Sequence, residues 1–326
     1  MESAAHLPSL PPGSDGFFVR HARPFISRTL AFAAALLLAG CGEARPDGND
    51  PPGGAGVAAV DDVGRQVTLP RPAGRVVSLV PSITDLVVAL GASDRLVART
   101  DYDENPAVAD LPSVGGGLDP SLEVLAGLRP ELVIAWAERS PRLTRRLAEM
   151  GVPVFMVQTQ DTTDALGAIE RMGTLLGQDG EAASLLHGLR HDVAEVRASV
   201  RDRPRRSVLY LVGVDPPRTA GPETFAVQLV GVAGGETVFP DVAGWPQVSL
   251  EQVVRRDPDV ILLPVGRHDA VVAERMREMP GWRDLRAVRE GRVHPIPVDV
   301  VNRPGPAMGR TARILRDAIH PEAADG

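Results

Sequence analysis

Short apolar runs of strand length alternate with longer stretches of helical periodicity over most of this chain. Residues 132–136 form a continuous apolar run, whereas residues 181–200 place Leu and Val at three- and four-residue steps along one helix face. At about 1.5 Å per residue, the second segment predicts a helix of roughly 30 Å, the width of a small domain. Strands that alternate with helices predict parallel sheets, and hence an α/β fold.

Turn and cap residues predict where the other elements begin and end. Residues 57–59 and 66–69 flank a turn that contains Gly, which predicts a β-hairpin. The Ser-x-x-Asp pattern at 82–85 has the form of a capping box and predicts a helix that begins at Ser82 and ends before Gly91. The other predicted strands are 76–80, 95–99, 132–136, 152–157, 207–212, 261–263 and 293–298. The other predicted helices are 142–150, 163–176, 181–200 and 224–232.

One sequence phrase occurs twice. Ser-Leu-Glu stands at 121–123 and, 128 residues later, at 249–251, and in both places a Pro follows the Ser after nine residues. Each copy predicts a helix with a Ser N-cap and an acidic first turn, followed by a buried parallel strand. A repeat at this distance predicts two similar α/β lobes, with Glu123 and Glu251 at equivalent places. The long 181–200 helix is predicted to join them.

Basic, apolar and small residues follow one another near the N-terminus in the order of a secretory signal. The apolar run 30–38 is too short to span a bilayer and ends in the sequence Leu-Ala-Gly-Cys at 38–41. That ending resembles a bacterial lipobox, in which the Cys receives a diacylglycerol and becomes the first residue of the mature chain. We therefore expect an exported protein that a lipid on Cys41 anchors to the membrane.

The segment after Cys41 is rich in Pro, Gly and Asp and has no apolar periodicity, which predicts a disordered tether. The predicted organisation is a lipoprotein signal peptide at 1–40, the tether at 41–56, an N-terminal lobe at 57–178, a connecting helix at 179–203 and a C-terminal lobe at 204–322.

Charge and motifs exclude several classes of function. A net charge of −7 makes the chain a poor partner for nucleic acid. No Gly-x-Ser-x-Gly elbow, Walker A loop or Gly-x-Gly-x-x-Gly loop occurs, so a lipid-anchored hydrolase is the weaker alternative to a binding protein. His187 and His191 have a metal-ligand spacing, but both lie off the apolar helix face without a third ligand. We expect no metal site and no resident cofactor.

Several motifs together carry a family resemblance. They are Arg-Val-Val-Ser-Leu at 75–79, Pro-Glu-Leu-Val-Ile-Ala-Trp at 130–136, Gly-Pro at 221–222, Ala-Gly-Gly at 233–235 and Trp-Pro-Gln-Val-Ser at 245–249. Over about residues 57–320 the chain resembles the substrate-binding proteins of bacterial ABC importers for vitamin B12, ferric siderophores and haem. The resemblance implies two Rossmann-like lobes with parallel sheets joined by one long α-helix, the class III periplasmic binding protein type. The cobalamin-binding members are the most similar.

The two lobes are expected to hold a small-molecule ligand between them. In a parallel α/β lobe the carboxyl ends of the strands face the cleft, so Trp136 and Trp245 are predicted to stack on that ligand. With the resemblance, the predicted ligand-binding residues are Ser82, Tyr102, Trp136, Arg218, Trp245, Asp299 and Arg303. The resemblance also implies that Glu123 and Glu251 dock on an ABC permease, which works with an ATPase, and that the protein is a monomer.

Three positions depart from the cobalamin-binding pattern, because aromatic residues are expected where this chain has Gly117, Arg218 and Val300. Arginines at 218 and 303 would suit an anionic ligand through charged hydrogen bonds. The expected ligand is a corrinoid, and a ferric siderophore or haem is the alternative.

Overall fold

The structure is a computed structural model that describes residues 56–137, 141–266 and 271–323. The described residues belong to one compact unit. No helix within these three ranges is long and apolar enough to cross a membrane. The predicted signal peptide, Cys41 and all of the tether except Gly56 lie outside the described residues, so the predicted lipid anchor stays a prediction.

Strands form three sheets in the described part of the chain. The strands are β1 (Val57–Val60), β2 (Gln66–Leu69), β3 (Val76–Ser78), β4 (Leu96–Ala98), β5 (Leu132–Trp136), β6 (Val154–Val157), β7 (Arg206–Val214), β8 (Pro217–Thr219), β9 (Gly235–Thr237), β10 (Val260–Val265) and β11 (Val293–Pro297). β1 and β2 form the predicted antiparallel hairpin. The second sheet is parallel in the order β4-β3-β5-β6. In the third sheet β11, β10, β7 and β9 are parallel, and β8 is antiparallel to β7.

Helices fill the connections between the strands, which confirms the predicted α/β class. They are α1 (Pro81–Ala89), α2 (Leu122–Leu128), α3 (Pro141–Glu149), α4 (Thr162–Leu176), α5 (Asp179–Ser199), α6 (Phe225–Val232), α7 (Leu250–Arg256), α8 (Val271–Arg275), α9 (Arg286–Arg289), α10 (Val298–Val301) and α11 (Met308–Ile319).

The repeated sequence phrase forms the same local structure in both lobes. Ser121 Oγ accepts a hydrogen bond from the third backbone amide after it at the start of α2, and Ser249 does the same at the start of α7. Arg129 and Asp257 then end the two helices in the left-handed conformation, and no other described residue except glycines has a positive φ. Each helix leads directly into a central strand, β5 or β10.

The helix α5 lies beside both lobes and packs against α4 and α11. Its inward face buries Ala182, Leu186, Leu189 and Val196, as the apolar periodicity predicts. These side chains belong to a hydrophobic cluster that also contains core residues of both parallel sheets. A shared core of this kind opposes large movements of one lobe against the other.

The start of α1 differs from the prediction. The helix begins at Pro81, its N-cap is Val80 without a side-chain cap, and Ser82 is buried inside the first turn. Proline is well suited to the first turn because it has no amide hydrogen that would need a partner there. Asp85 closes no capping box; its carboxylate accepts a hydrogen bond from Asn105 instead. The short strands β8 and β9 and the helices α8 to α11 were not predicted.

Candidate ligand-binding cleft

Side chains from both lobes meet where parallel strands end. Trp136 is the last residue of β5, and residues 158–160 follow β6 directly. From the other lobe, α10 follows β11 without a gap. Because the carboxyl ends of parallel strands lie along one edge of a sheet, this topology collects the loops of each lobe in one cleft.

A cavity of about 340 Å³ lies between Trp136 and Trp245, and we call it the aromatic cavity. Its walls are partly aromatic and its polar groups are amides and a hydroxyl. The lining residues are Trp136, Ala137, Val157, Gln158, Thr159, Gln160, Phe225, Ala226, Trp245, Val301, Asn302 and Pro304. None of these described residues carries a charge. The side chain of Asp299 is not among those described, so its predicted role stays a prediction.

Trp245 is held in place although the residue is 43% exposed. The Arg218 guanidinium donates a 3.0 Å hydrogen bond to the Trp245 carbonyl. On the inner side, the ring of Tyr210 lies 6.3 Å from the Trp245 ring at an angle of 60°. The backbone that follows Trp245 pairs with β8 at Gln247. An exposed indole with a fixed orientation is what stacking on a flat ligand requires.

Two polar groups of the aromatic cavity have hydrogen-bonding capacity to spare. Thr159 is buried, and its Oγ1 has no hydrogen-bond partner. Asn302 uses its side-chain oxygen to accept a 2.6 Å hydrogen bond from the Tyr210 hydroxyl, and no described group accepts from its amide nitrogen. A buried polar atom without a partner, such as Thr159 Oγ1, is uncommon in native proteins, and a bound ligand or water is one explanation. Asn302 is exposed, so its amide nitrogen is accessible to a ligand.

A second space of about 600 Å³ lies between α1 and the segment 300–310, and we call it the charged crevice. Its lining contains two acids and two arginines. The lining residues are Ser82, Asp85, Val88, Ala89, Glu104, Asn105, Pro106, Val300, Arg303, Pro306, Ala307 and Arg310. Arg303 forms a 3.4 Å ion pair with Asp85, which links the two lobes. Ser82 Oγ is buried without a partner.

The predicted site residues therefore separate into different places. Trp136 and Trp245 share the aromatic cavity, whereas Ser82 and Arg303 line the charged crevice. Arg218 lines neither space, because its guanidinium is engaged behind Trp245. Tyr102 also lines neither space. The residue is 67% exposed, and its carbonyl accepts a 3.4 Å hydrogen bond from Arg303.

Structure explains one departure from the cobalamin-binding pattern. A Cβ atom at Gly117 would overlap the carbonyl group of Leu79. No side chain fits there without a shift of the backbone, so an aromatic residue at position 117 is excluded by this chain's own geometry.

The sequence analysis missed most of the cavity lining, including Thr159, Phe225 and Asn302, and it missed Tyr210 behind it. Thr159 lies two positions after the predicted strand 152–157, so the rule that identified Trp136 could have identified it as well. Phe225 lies three residues after the Gly-Pro motif at 221–222. Tyr210 and Asn302 are 92 positions apart, and nothing in the sequence indicates that they form a pair.

The lobes also contact each other beside the aromatic cavity. The Phe225 amide donates a 2.7 Å hydrogen bond to the Gln160 carbonyl, and the Thr162 hydroxyl donates one of 2.6 Å to the Gln228 side chain. With the Asp85–Arg303 pair, hydrogen-bonded contacts cross between the lobes in two separate places. The cleft is therefore largely formed before a ligand binds.

Glu123 and Glu251 are both exposed in the first turns of α2 and α7. Each helix runs antiparallel to the strand that follows it, so its first turn lies at the carboxyl edge of that strand, the edge that carries the cleft. Glu251 has only a 3.6 Å ion pair with Arg255, and no described group pairs with Glu123. Within the described ranges, no group of three His, Cys, Asp or Glu residues could hold a metal ion.

Comparison with known proteins is consistent with this geometry. Residues 76–300 match the family described as periplasmic binding protein. The chain is 28% identical over 302 residues to the uncharacterised ABC transporter substrate-binding lipoprotein YvrC of Bacillus subtilis, covering 89% of this chain and 95% of the relative. It is 33% identical over 202 residues to the vitamin B12-binding protein of Yersinia pestis, covering 60% of this chain and 72% of the relative.

A solved structure is similar as well. It is a possible iron-binding, periplasmic solute-binding protein of Staphylococcus epidermidis, with a TM-score of 0.70 and 25% identity, covering 77% of this chain and 100% of that one. The family match extends over more than half of the chain, and the fold agrees with it. The chain therefore belongs to the periplasmic binding protein family, the substrate-binding proteins of ABC importers, and not to an enzyme family.

Proposed function

We propose that this protein captures a corrinoid in the cleft between its lobes and delivers it to a membrane permease. The observation that carries the proposal is the aromatic cavity, which combines two tryptophans with uncharged polar groups. A corrinoid is a large, flat ring system with carboxamide side chains. The indoles of Trp136 and Trp245 suit its ring and edges, and the Thr159 hydroxyl and Asn302 amide suit its carboxamides. The relative named as a vitamin B12-binding protein supports the same choice.

Charge argues against the anionic alternatives. Haem propionates and catecholate siderophores need cationic partners, since a buried charge without one is unfavourable. No described residue of the aromatic cavity is cationic, and Arg218 and Arg303 already have partners. A neutral ferric siderophore has no such requirement. It is the second candidate, favoured by the similar structure that is named as a possible iron-binding protein.

Calorimetry with three ligands tests the proposal. We expect the protein without its signal peptide to bind cyanocobalamin more tightly than a neutral ferric hydroxamate, and to bind haem weakly or not at all. A visible absorption spectrum of the protein purified from its own host provides an independent reading, because corrinoids, haem and ferric chelates have distinct bands. Binding of the hydroxamate alone would overturn the corrinoid assignment and put the second candidate in its place.

We also propose that Glu123 and Glu251 orient the protein on its permease. They are exposed, they occupy equivalent places in the two lobes, and they lie on the edge that carries the cleft. Exposed charges contribute to orientation and association rate more than to affinity. Glu123→Arg combined with Glu251→Arg should abolish uptake into vesicles that contain the permease and its ATPase, and ligand affinity in solution should not change. Each single reversal should give a partial loss.

The chain offers a matched control for this experiment. Glu149 and Glu290 are exposed acids at the ends of α3 and α9, each with a nearby Arg, at the opposite edge of the two sheets. Reversing both to Arg changes the net charge by the same amount, and uptake should stay normal. Normal transport by the variant with both docking reversals, or an equal loss in the control, would refute the docking role.

Family membership indicates a protein that acts outside the cytoplasm, and we propose that a lipid on Cys41 holds it at the membrane. The Leu-Ala-Gly-Cys ending of the apolar run supports this, and so does the relative named as a lipoprotein. Cys41→Ala removes the only cysteine, so the variant should be recovered from the aqueous phase of a detergent partition. If it still enters the detergent phase with the membrane fraction, a different anchor is present.

A further inference from the structure

Tyr210 is a buried tyrosine directly behind the aromatic cavity. It lies in the middle of β7, is 1% exposed, and does not line the cavity itself. Its ring lies against the ring of Trp245, and its hydroxyl reaches Asn302. Tyr210 therefore contacts two residues of the cavity from the side that a ligand does not reach.

The hydrogen bond between Tyr210 and Asn302 fixes the direction in which the Asn302 amide points. Burial raises the pKa of the Tyr210 phenol far above its usual range, so the group stays protonated and needs an acceptor. The Asn302 side-chain oxygen, at 2.6 Å, is the acceptor that the described residues provide. If the amide were turned around, the phenol hydrogen would be buried without an acceptor, which is unfavourable. The NH₂ group of Asn302, an exposed residue of the cavity lining, is consequently the half of the amide that is left to donate to a ligand.

From this geometry we propose that Tyr210 and Asn302 form a selectivity device that presents a fixed hydrogen-bond donor to a carbonyl oxygen of the ligand. Asn302 is the contacting residue, and Tyr210 is a positioning residue that acts through it. The device deepens the function proposed above, and in a corrinoid the matching group is a side-chain carboxamide oxygen. It selects against ligands that offer only a donor at this place, because two facing donors leave both groups unpaired.

A double-mutant cycle tests whether Tyr210 acts through Asn302. Tyr210→Phe keeps the ring beside Trp245 and removes only the hydroxyl. We expect cyanocobalamin to bind the Tyr210→Phe variant about 5-fold and the Asn302→Ala variant about 10-fold more weakly than wild type. The double variant should match Asn302→Ala alone, since Tyr210 has nothing left to position. Losses that multiply would show that Tyr210 only supports the packing of Trp245, and an unchanged affinity of Tyr210→Phe would also overturn the proposal.

A third variant tests the direction of the hydrogen bond. Asn302→Asp can still accept from the Tyr210 hydroxyl, but it replaces the donor that faces the ligand with an acceptor. Its affinity for cyanocobalamin should be lower than that of wild type, because the ligand's carboxamide oxygen then faces an acceptor and the carboxamide has to turn to pair with it. Gln178→Glu adds the same charge at the start of α5, away from the cavity, and should bind like wild type. An Asn302→Asp variant that binds as well as wild type would refute the donor role.

Failure of this inference can be told apart from failure of the corrinoid assignment. If wild type does not bind cyanocobalamin but binds the neutral ferric hydroxamate, the corrinoid assignment fails. The hydroxamate also presents carbonyl oxygens, so the same cycle is then measured with that ligand. If wild type binds cyanocobalamin and the cycle is additive, the corrinoid assignment stands and the role of Tyr210 is refuted.

Discussion

The aromatic cavity and the charged crevice are both built from residues of the two lobes, yet they differ in how their polar groups are used. In the charged crevice the Asp85 carboxylate already has Asn105 and Arg303 as partners. In the aromatic cavity no described side chain is charged, and Thr159 and Asn302 keep hydrogen-bonding capacity. A positive charge near a cleft therefore does not by itself indicate an anionic ligand, because the charge can serve to hold the lobes together.

The two spaces also share one feature that allows a direct comparison. Each contains a buried hydroxyl without a partner, Thr159 in the aromatic cavity and Ser82 in the charged crevice. If the aromatic cavity binds the ligand and the crevice does not, these two similar groups should respond differently to the same kind of substitution.

The largest effect is expected from the two tryptophans of the aromatic cavity. Trp136→Ala combined with Trp245→Ala removes both stacking surfaces and should weaken ligand binding roughly 100-fold, about 2.7 kcal/mol. Calorimetry on both single variants and the double variant measures the loss. Arg310→Ala in the charged crevice provides the comparison and should change affinity less than about 2-fold, since Arg310 is exposed there. Equal losses in the two places would mean that the ligand occupies both.

An intermediate effect is expected from the two buried hydroxyls. Thr159→Val keeps the shape of the side chain and should weaken ligand binding roughly 5- to 10-fold, because the ligand loses a hydrogen bond. Without ligand the same variant should be about 1 kcal/mol more stable, since an unpaired buried hydroxyl is gone. Ser82→Ala should give a similar gain in stability, and its affinity should stay at the wild-type value.

Thermal unfolding measures the stability of the Thr159→Val and Ser82→Ala variants, and calorimetry measures their affinity for the ligand. Thr159→Val should weaken ligand binding but raise the stability of the protein. A general loss of folding would lower both, so it is excluded as the cause of weaker binding. A drop in affinity for Ser82→Ala would instead place the charged crevice in the ligand site, as the sequence analysis expected for Ser82.

Much of the fold could be predicted from the sequence because the signals are local. Periodicity located the central strands and α5, and the repeated phrase with its Ser caps located α2 and α7. The start of α1 was predicted wrongly because Pro81 and the Ser-x-x-Asp pattern compete, and Asp85 has a tertiary partner that no local pattern shows.

The site was only partly predictable from the sequence, because several of its contacts join distant parts of the chain. Trp136 follows from its position at the end of an apolar strand, and Trp245 from its position at the start of a loop that enters a helix. What Arg218 and Arg303 do depends on which groups lie beside them in three dimensions, a backbone carbonyl and a carboxylate from a distant part of the chain. The pairing of Tyr210 with Asn302 also depends on how β7 and α10 are brought together, and sequence spacing does not determine that.

The smallest effect is expected from the ion pair of the charged crevice. The side chains of Arg303 and Asp85 are 22% and 27% exposed, so solvent screens the pair only in part. At 3.4 Å and with this exposure, its coupling energy should be about 0.5–1 kcal/mol. A double-mutant cycle with Asp85→Asn and Arg303→Gln, measured by urea unfolding, should return that value.

Ligand affinity should stay within about 2-fold of wild type in all variants of this cycle, because neither residue lines the aromatic cavity. Salt should weaken the coupling energy, as expected for a partly exposed pair. If Arg303→Gln instead reduces the affinity for an anionic ferric siderophore by 10-fold or more, then Arg303 exchanges its Asp85 partner for the ligand. The aromatic cavity would then not be the only ligand site, because Arg303 would pair with Asp85 in the free protein and with the ligand in the complex.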